Sequence, residues 1–375
     1  MRFSHAARPR VKPEHAGYRT ARGNVRIGSV IYGIGAEIED PDGSIWTLVE
    51  SLNGSRNLED VVRHVRLSHP GLTPEDVEAG LKQLTAAGFI EDAAAPRPQA
   101  ISDREAERYT RGMTLMRWMD LSPKNSSWDV QARLKQAEVL VLGVGGTGGI
   151  AAQQLAASGV GSLHCVDHDT VELSNLNRQL LYTERDVGRP KADAAVEHLR
   201  ELNSDIRVSG EVRHIDQAQD VIDLLERPGR PYDLLVLGAD QPMGMRRWVN
   251  RACLAAELPW VEGGYRGPVA VAGIFDPKVG PCWECVHDAM AEEAASRNEP
   301  NADDERVSPR LPWNPVNAVT AGLSASLVAF GALALLTGVP RLAPGIRFGI
   351  NLMVPGDDLL IRLPRRPGCP ACGVR

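Results

Sequence analysis

Residues 138–191 limit the fold more than any other part of this 375-residue chain. They open on a short apolar run, Val139-Leu-Val-Leu142, and pass directly into Gly143-Val-Gly145-Gly146-Thr-Gly148-Gly149. Small residues follow, Ile150-Ala-Ala-Gln-Gln-Leu155-Ala-Ala, and then a second apolar run, Ser162-Leu-His-Cys-Val166, ends on Asp167. The pattern predicts strand, glycine turn, helix, strand and acid. Unbroken apolar runs of this length suit parallel strands covered on both faces. The glycines let the backbone pass close to a phosphate, and the helix N-terminus offers that anion free N–H groups. An acid closing the second strand is placed to take ribose hydroxyls. A glycine turn is also a plain connection, so the next segment decides.

After Asp167 come His168-Asp169-Thr-Val-Glu-Leu-Ser174-Asn175-Leu-Asn177-Arg178-Gln179, and later Gly188-Arg189-Pro190-Lys191. With the glycine loop these read as D-x-D-x-V, S-N-L-x-R-Q and G-x-x-K, in that order. This block resembles the ThiF-type adenylating family, with its ubiquitin-activating-enzyme-like fold, over roughly residues 105–375. The resemblance implies a Rossmann-like α/β domain that binds ATP along Gly143, Gly145, Gly146 and Gly148. It implies that Asp167 holds ribose, with Asp169 beside it, and that Asn175, Arg178 and Lys191 contact the phosphates. The chemistry agrees: an arginine fork suits phosphate oxygens, and a lysine supplies a mobile charge as pyrophosphate leaves. Solvated surface charge is the plain alternative for Arg178 and Lys191. Further on, Asp233-Leu-Leu-Val-Leu-Gly-Ala-Asp240 reads as a buried strand ending on an acid, and by resemblance Asp240 is the magnesium-binding aspartate. The family follows that aspartate with Asn; here Gln241 and Pro242 open a loop one residue longer before Arg246, Arg247 and Asn250.

Cys282-Trp-Glu-Cys285 and Cys369-Pro-Ala-Cys372 form two CxxC pairs. Such pairs build a tetrahedral structural zinc site, whereas a redox role for one would leave the other unexplained. Cys165 and Cys253 fall in a predicted strand and helix and read as buried apolar residues. Residues 286–316 contain no cysteine, so a thioester relay on this crossover is not expected. Its acidic part, residues 292–305, reads as a flap over the substrate or as a solvated loop. His287 is a candidate base or a structural histidine.

The first ninety residues read as a separate small domain. Val25-Arg-Ile-Gly28 and Tyr32-Gly-Ile34 are expected as short strands. A helix is expected over residues 44–52, ending at Asn53-Gly54, and a second from Asn57 with Leu58, Val61, Val62 and Val65 on one face. A third has Thr73 as N-cap, Pro74 at its first position and Asp76 closing the box. Together they predict a winged-helix-like module over residues 1–92. It resembles the PqqD-like precursor-peptide recognition element, in which a leader peptide adds a strand to the small sheet. A DNA-binding winged helix or a dimer-stabilising domain are the alternatives. Glu59, Asp60, Glu75, Asp76 and Glu78, with a net charge of −6, weigh against nucleic acid, where phosphate neutralisation dominates affinity. Residues 93–104 read as an Ala/Pro-rich linker, and residues 105–375 as the adenylation domain. Glu107-Arg108-Tyr109-Thr110-Arg111 resembles the family's R-Y-x-R-Q entry motif, with Gly112 in place of Gln. That resemblance implies that Arg111 serves the neighbouring subunit's ATP site, and hence a homodimer.

The N-terminus lacks the apolar run of a signal peptide, so a cytoplasmic protein is expected. Residues 317–338 carry no charge over 22 positions but are rich in Ala, Gly and Ser, which favours a buried core helix over a membrane span. The expected function is adenylation of a carboxylate or carboxamide-derived group on a ribosomally made precursor peptide. This is the chemistry of the microcin C and pantocin maturation enzymes that the whole resembles. The alternatives are a non-catalytic ThiF-like partner of an azoline-forming cyclodehydratase and an activator of a sulfur-carrier protein.

Overall fold

The computed structural model describes residues 6–28, 34–122, 126–226, 228–297, 314–354 and 356–373. The chain divides into two compact units, Met1–Ala132 and Arg133–Arg375.

In the first unit, β1 (Pro9–Val11) pairs antiparallel with β5 (Ile90–Asp92). Strands β2 (Tyr18–Arg19), β3 (Val25–Ile27) and β4 (Ala36–Ile38) form a second antiparallel sheet. Val25–Ile27 matches expectation. It pairs with Ala36–Ile38; the expected strand at Tyr32-Gly-Ile34 falls on Tyr32 and Gly33, which lie outside the described residues. Gly28 ends β3 in the left-handed region, φ +85°. Helices α1 (Ser44–Ser51), α2 (Leu58–Ser68) and α3 (Pro74–Ala86) follow. Their starts obey local chemistry: Asn57 Oδ1 accepts the Asp60 N–H at 2.9 Å, and Thr73 and Asp76 close a reciprocal capping box. Their apolar stripes, including Val61, Val65, Val77 and Leu81, bury against Val25 and Ile27.

Helix α4 (Asp103–Met119) also packs in this unit. Arg117 Nε donates to Glu14 Oε2 at 2.9 Å, and the buried Lys12 ammonium donates to the Asp120 carbonyl. These long-range polar ties extend the first unit beyond the boundary read from sequence, because composition marks the linker but not the contacts that follow it.

The second unit begins within α5 (Asp129–Gln136) and is built on an eight-stranded sheet. In chain order its elements are β6 (Glu138–Leu142), α6 (Gly146–Ala157), β7 (Ser162–Val166), α7 (Lys191–Leu202), β8 (Arg207–Glu211), α8 (Ala218–Leu225) and β9 (Leu234–Leu237). Then come α9 (Met245–Ala255), β10 (Trp260–Arg266), β11 (Val269–Phe275), α10 (Trp283–Ser296), α11 (Ala318–Thr337), β12 (Ile346–Asn351) and β13 (Asp358–Arg362). The strand order is β13-β12-β11-β10-β9-β6-β7-β8. The run β10-β9-β6-β7-β8 is parallel, and the remaining pairings are antiparallel. Alternate residues serve opposite cores: Val139 and Val141 pack with α6 and α11, while Leu140 and Leu142 face α8 and α9. The chain runs from β6 outward through β7 and β8, then returns to β9 on the other side. That reversal opens a crevice at the strands' carboxyl ends, where α/β folds place ligands.

Two expectations meet the structure here. The α11 helix is long and apolar enough to cross a membrane, yet half of its most apolar stretch is buried, packed on α6 and on strands β10 and β11. Small residues allow that approach: a side chain on Gly263 would start 2.2 Å from Val328 Cγ2. Residues 292–296, read as the start of a flap, are instead the end of α10. The run Ala289-Met-Ala-Glu-Glu-Ala-Ala propagates a helix well, and the rest of that segment lies outside the described residues.

Candidate nucleotide-binding site

The glycine loop divides its glycines between two tasks. Gly143 leaves β6 at φ +86°, and a side chain there would start 2.5 Å from the Ala239 nitrogen. One on Gly148 would start 1.8 Å from the Gly143 carbonyl oxygen. Those two positions are closed by the fold itself. At Gly145 and Gly146 the nearest atoms would lie at 3.5 and 3.4 Å, so their lack of a side chain leaves open space at the N-terminus of α6. The loop is fastened by Asp167: Oδ2 accepts the Val144 N–H at 2.9 Å, and Oδ1 accepts the Asp169 N–H at 2.9 Å. Asp167, expected to hold ribose, thus also ties β7 to the loop.

A cleft of about 1780 Å³ opens here, lined by Gly145, Gly146, Asp167, Asp169, Asn175, Arg178, Lys191 and Asp240. The structure therefore gathers these sequence-selected residues of the second unit. Lys191 starts α7 and is buried; its Nζ donates to Asp169 Oδ2 at 2.7 Å. Burial works against ionising Asp169, but Lys191 outweighs it and holds the carboxyl below its ordinary range. Asn175 is buried, and its Oδ1 accepts the Glu172 N–H at 3.1 Å, which shapes the turn carrying Arg178. Arg178 Nη1 donates to the Ser174 carbonyl at 3.0 Å. Asp240 lies three residues beyond β9, exposed to the cleft. Arg111 lies in the first unit on α4, exposed to solvent.

Two further cleft residues escaped the sequence reading. Tyr265 stands near Arg178 and Asp240; burial raises its hydroxyl pKa, Arg178 opposing and Asp240 adding. Gln179 is buried at the foot of the loop, its Oε1 without a hydrogen-bond partner among the described residues. Its place in the S-N-L-x-R-Q run was the available signal.

Behind two cleft-lining arginines, Arg246 and Arg347, lies a buried carboxylate, Glu262 on β10. Arg246 Nε donates to its Oε2 at 2.5 Å, and Arg347 Nε lies 3.3 Å from Oε1. Burial penalises the charge, yet the two guanidinium groups hold the carboxyl below its ordinary range. A second buried carboxylate, Glu284, accepts from Arg247 at 2.6 Å, Arg251 at 3.0 Å and Asn250 at 3.1 Å. The loop after Asp240 thus delivers α9 residues to two structural acids.

Glu284 sits between two cysteines of a four-sulfur cluster. The sulfurs of Cys282, Cys285, Cys369 and Cys372 lie within 4.8 Å of one another, with Cys282–Cys285 and Cys282–Cys369 each at 3.8 Å. Tetrahedral zinc with Zn–S bonds of about 2.3 Å sets its sulfurs about 3.8 Å apart, so the four ligands fit a zinc ion. The Arg366 N–H at 3.4 Å from Cys285 Sγ adds the outer support such sites use. Cys165 and Cys253 are buried, and burial raises both thiols, Cys165 to about 12. They are inert core residues.

A doubly wound sheet, a glycine turn feeding a helix, and acids and bases collected at the switch point define a nucleotide-binding α/β protein. The chain belongs to the ThiF family, whose model matches residues 116–359. It is 31% identical over 276 residues to the molybdopterin-synthase adenylyltransferase of Escherichia coli, covering 73% of this chain and 98% of that one. The sulfur carrier protein adenylyltransferase of Thermus thermophilus is 34% identical over 275 residues, covering 72% and 91%. Among solved structures, Escherichia coli MccB superimposes with a TM-score of 0.75 at 23% identity, over 98% of this chain and 97% of that one. PaaA does so with a TM-score of 0.68 at 23% identity, over 95% and 100%.

Proposed function

We propose that this chain is an ATP-dependent adenylyltransferase that activates a carboxylate or carboxamide-derived group on a ribosomally made precursor peptide. The observation that carries the reading is a cleft whose lining joins the glycine loop, Arg178, Lys191 and Asp240 to Tyr265, Val271 and Met290. About 1780 Å³ exceeds the roughly 300–1,000 Å³ of an ordinary small-ligand pocket, which leaves room for a nucleotide and the end of a chain.

In the proposed reaction a substrate carboxylate oxygen attacks the α-phosphorus. A P–O bond forms, the bond to the bridging β-phosphate oxygen breaks, and the products are an acyl-adenylate and pyrophosphate. Catalysis rests on positioning and charge, as in phosphoryl transfer generally. The free N–H groups at the start of α6 receive phosphate oxygens. Lys191, held by Asp169, reaches the departing charge, and Arg178 adds a second cation. Arg111 of a second copy completes the set in a homodimer. Asp240 closes no ion pair among the described residues and would hold magnesium, which supplies charge neutralisation of the phosphates when bound.

The first unit is proposed as a winged-helix-like leader-binding element of the PqqD kind, taking a peptide strand on the edge of its small sheet, in a cytoplasmic enzyme without nucleic-acid or membrane partners. Support comes from coverage. The sulfur-carrier relatives match only about three quarters of this chain, whereas the superposition on the microcin C7 biosynthetic enzyme MccB, solved with ATP and with MccA, extends across it. Sulfur-carrier activation is the second reading, favoured by those relatives' names.

The test is a nucleotide product assay with magnesium ATP and short peptides encoded beside the gene. AMP and pyrophosphate should appear only with peptide, and Asp240→Ala should abolish them while sparing peptide binding. An active Asp240→Ala enzyme would sink the assignment; ADP, or tight peptide binding without turnover, would point to a non-catalytic cyclodehydratase partner.

A further inference from the structure

Two histidines outside the proposed chemistry stand at the rim of the cleft. The parallel register pairs Val166, the last residue of β7, with Glu211, the last of β8. The chain therefore leaves the sheet twice at neighbouring places, once as Asp167-His168-Asp169 and once as Arg213-His214-Ile215-Asp216. His168 and Asp169 line the cleft, as do Arg213 and Ile215 on either side of His214. Ile215 is buried in the core, which pins the segment that carries His214. The two imidazoles meet, with ring centroids 3.9 Å apart and planes tilted by 55°. Their side chains are 45% and 53% exposed, so a solute reaches both.

The groups around this pair have the spacing of a metal site. His168 Nε2 lies 3.2 Å from Asp169 Oδ1. A tetrahedral ion with bonds of about 2.0–2.1 Å to nitrogen and oxygen sets its ligand atoms about 3.3 Å apart, so both atoms can serve one ion. Asp216 Oδ1 lies 2.7 Å from His214 Nδ1. A carboxylate in that place holds the ring proton on one nitrogen and leaves the other, here Nε2, as the ligand. Asp169 stays a carboxylate because Lys191 donates to its Oδ2, and this leaves Oδ1 on the side of His168. Asp167 also lies within 4.8 Å, but its oxygens already accept the Val144 and Asp169 N–H groups. The cation beside His214 is drawn elsewhere: the Arg213 guanidinium lies 3.6 Å from Glu211 and 3.8 Å from Asp223. A surface ion pair would account for either histidine alone. Two touching imidazoles, one backed by a carboxylate and the other beside one, make a ligand set.

We propose that His168, His214 and Asp169 hold a divalent transition-metal ion of the zinc class at the rim of the cleft, with Asp216 orienting His214 and water completing the shell. Two imidazoles and one carboxylate select zinc, nickel or copper over magnesium. The site shares no ligand with the cysteine cluster or with Asp240, and it does not depend on the adenylation reading. Asp169 is shared with Lys191, so the ion sits one carboxylate away from the buried lysine of the cleft.

The probe is zinc alone, titrated into the full-length protein without nucleotide and followed by calorimetry, with millimolar magnesium present throughout. Metal analysis first fixes the zinc that the purified chain carries, so that uptake at the cysteines is counted apart. The wild type should take up one further zinc per chain with a micromolar or tighter dissociation constant. Asp216→Asn should weaken that step by about tenfold, the scale for losing an outer partner of a ligand, and His214→Ala should weaken it more. Both variants should keep the purified zinc content and the melting transition of the wild type, since both side chains are exposed. If His214→Ala does not fold, His168→Ala carries the same reading. No further zinc below millimolar concentration, loss of the step to magnesium, or the same uptake in the histidine variants as in the wild type overturns the site.

Discussion

Glu262 and Glu284 are both buried carboxylates that draw arginines from helix α9, and they end in opposite states. Around Glu284 the donors close: Asn250 and Arg251 reach Oε1, while Arg247 and Arg251 reach Oε2. Around Glu262 the donors are fewer: Arg246 Nε donates to Oε2 at 2.5 Å, and Arg347 Nε lies 3.3 Å from Oε1. A buried network whose acceptors are all engaged fixes structure. Glu284 lies between Cys282 and Cys285 and anchors the cysteine cluster to α9; Glu262 lies buried behind Arg246 and Arg347, which line the cleft.

The largest expected effect breaks the closed side. A purified chain should carry about one zinc per molecule, and chelation should lower its melting transition more than any single substitution in α9. Structural zinc contributes about 10–16 kcal/mol in zinc-finger peptides, and a loss of order 5 kcal/mol is expected in this larger unit. Calorimetry with metal analysis measures both; an unchanged transition in metal-free protein would remove the structural role.

Glu284→Ala should follow at about 3 kcal/mol, the lower end for breaking a buried ion pair, because Arg247 and Arg251 are 40% and 53% exposed and can turn to solvent. In a unit of this size that lowers the melting temperature by roughly 6–12 °C. Substrate preference should not move. A shift in peptide selectivity without a change in melting would reverse the comparison.

The smallest effect sharpens the open side. Glu262→Gln should cost about 1–2 kcal/mol at neutral pH, since an amide still accepts from Arg246. The wild-type carboxyl lies below its ordinary value of about 4.3 in the folded state. Its contribution is therefore complete above that value and is lost as pH falls through the lower folded one. Urea midpoints from pH 7 to pH 3 should show a steeper acid limb in the wild type than in the variant; parallel curves would mean that Glu262 is not held ionised.

The two glutamates also show where sequence reading stops. The glycine loop was legible because its constraint is local: Gly143 needs a positive φ, Gly148 must clear a carbonyl five residues away, and Asp167 ends the adjacent strand. Helices α2 and α3 were legible through caps and apolar stripes, and the four cysteines through their paired spacing. A strand at Ala36–Ile38 was missed because three-residue strands carry too little periodicity to place. The packing of helix α4 in the first compact unit was not legible, since its ties to Glu14 and Lys12 cross about a hundred residues.

By itself, then, the sequence determined the chemistry available: which residues can turn, cap, bind phosphate or hold a metal, each set by neighbours a few positions away. Only the tertiary structure decided how the arginines of α9 are shared out. Arg246 and Arg247 are adjacent in the chain, yet one turns to Glu262 in the cleft and the other to Glu284 beside the cysteines. That choice depends on β10, α10 and β12 arriving from residues 262, 284 and 347, and on Gly273 leaving space between strands. No local pattern encodes it, because a buried charge takes its role from whichever opposite charges the fold brings within reach.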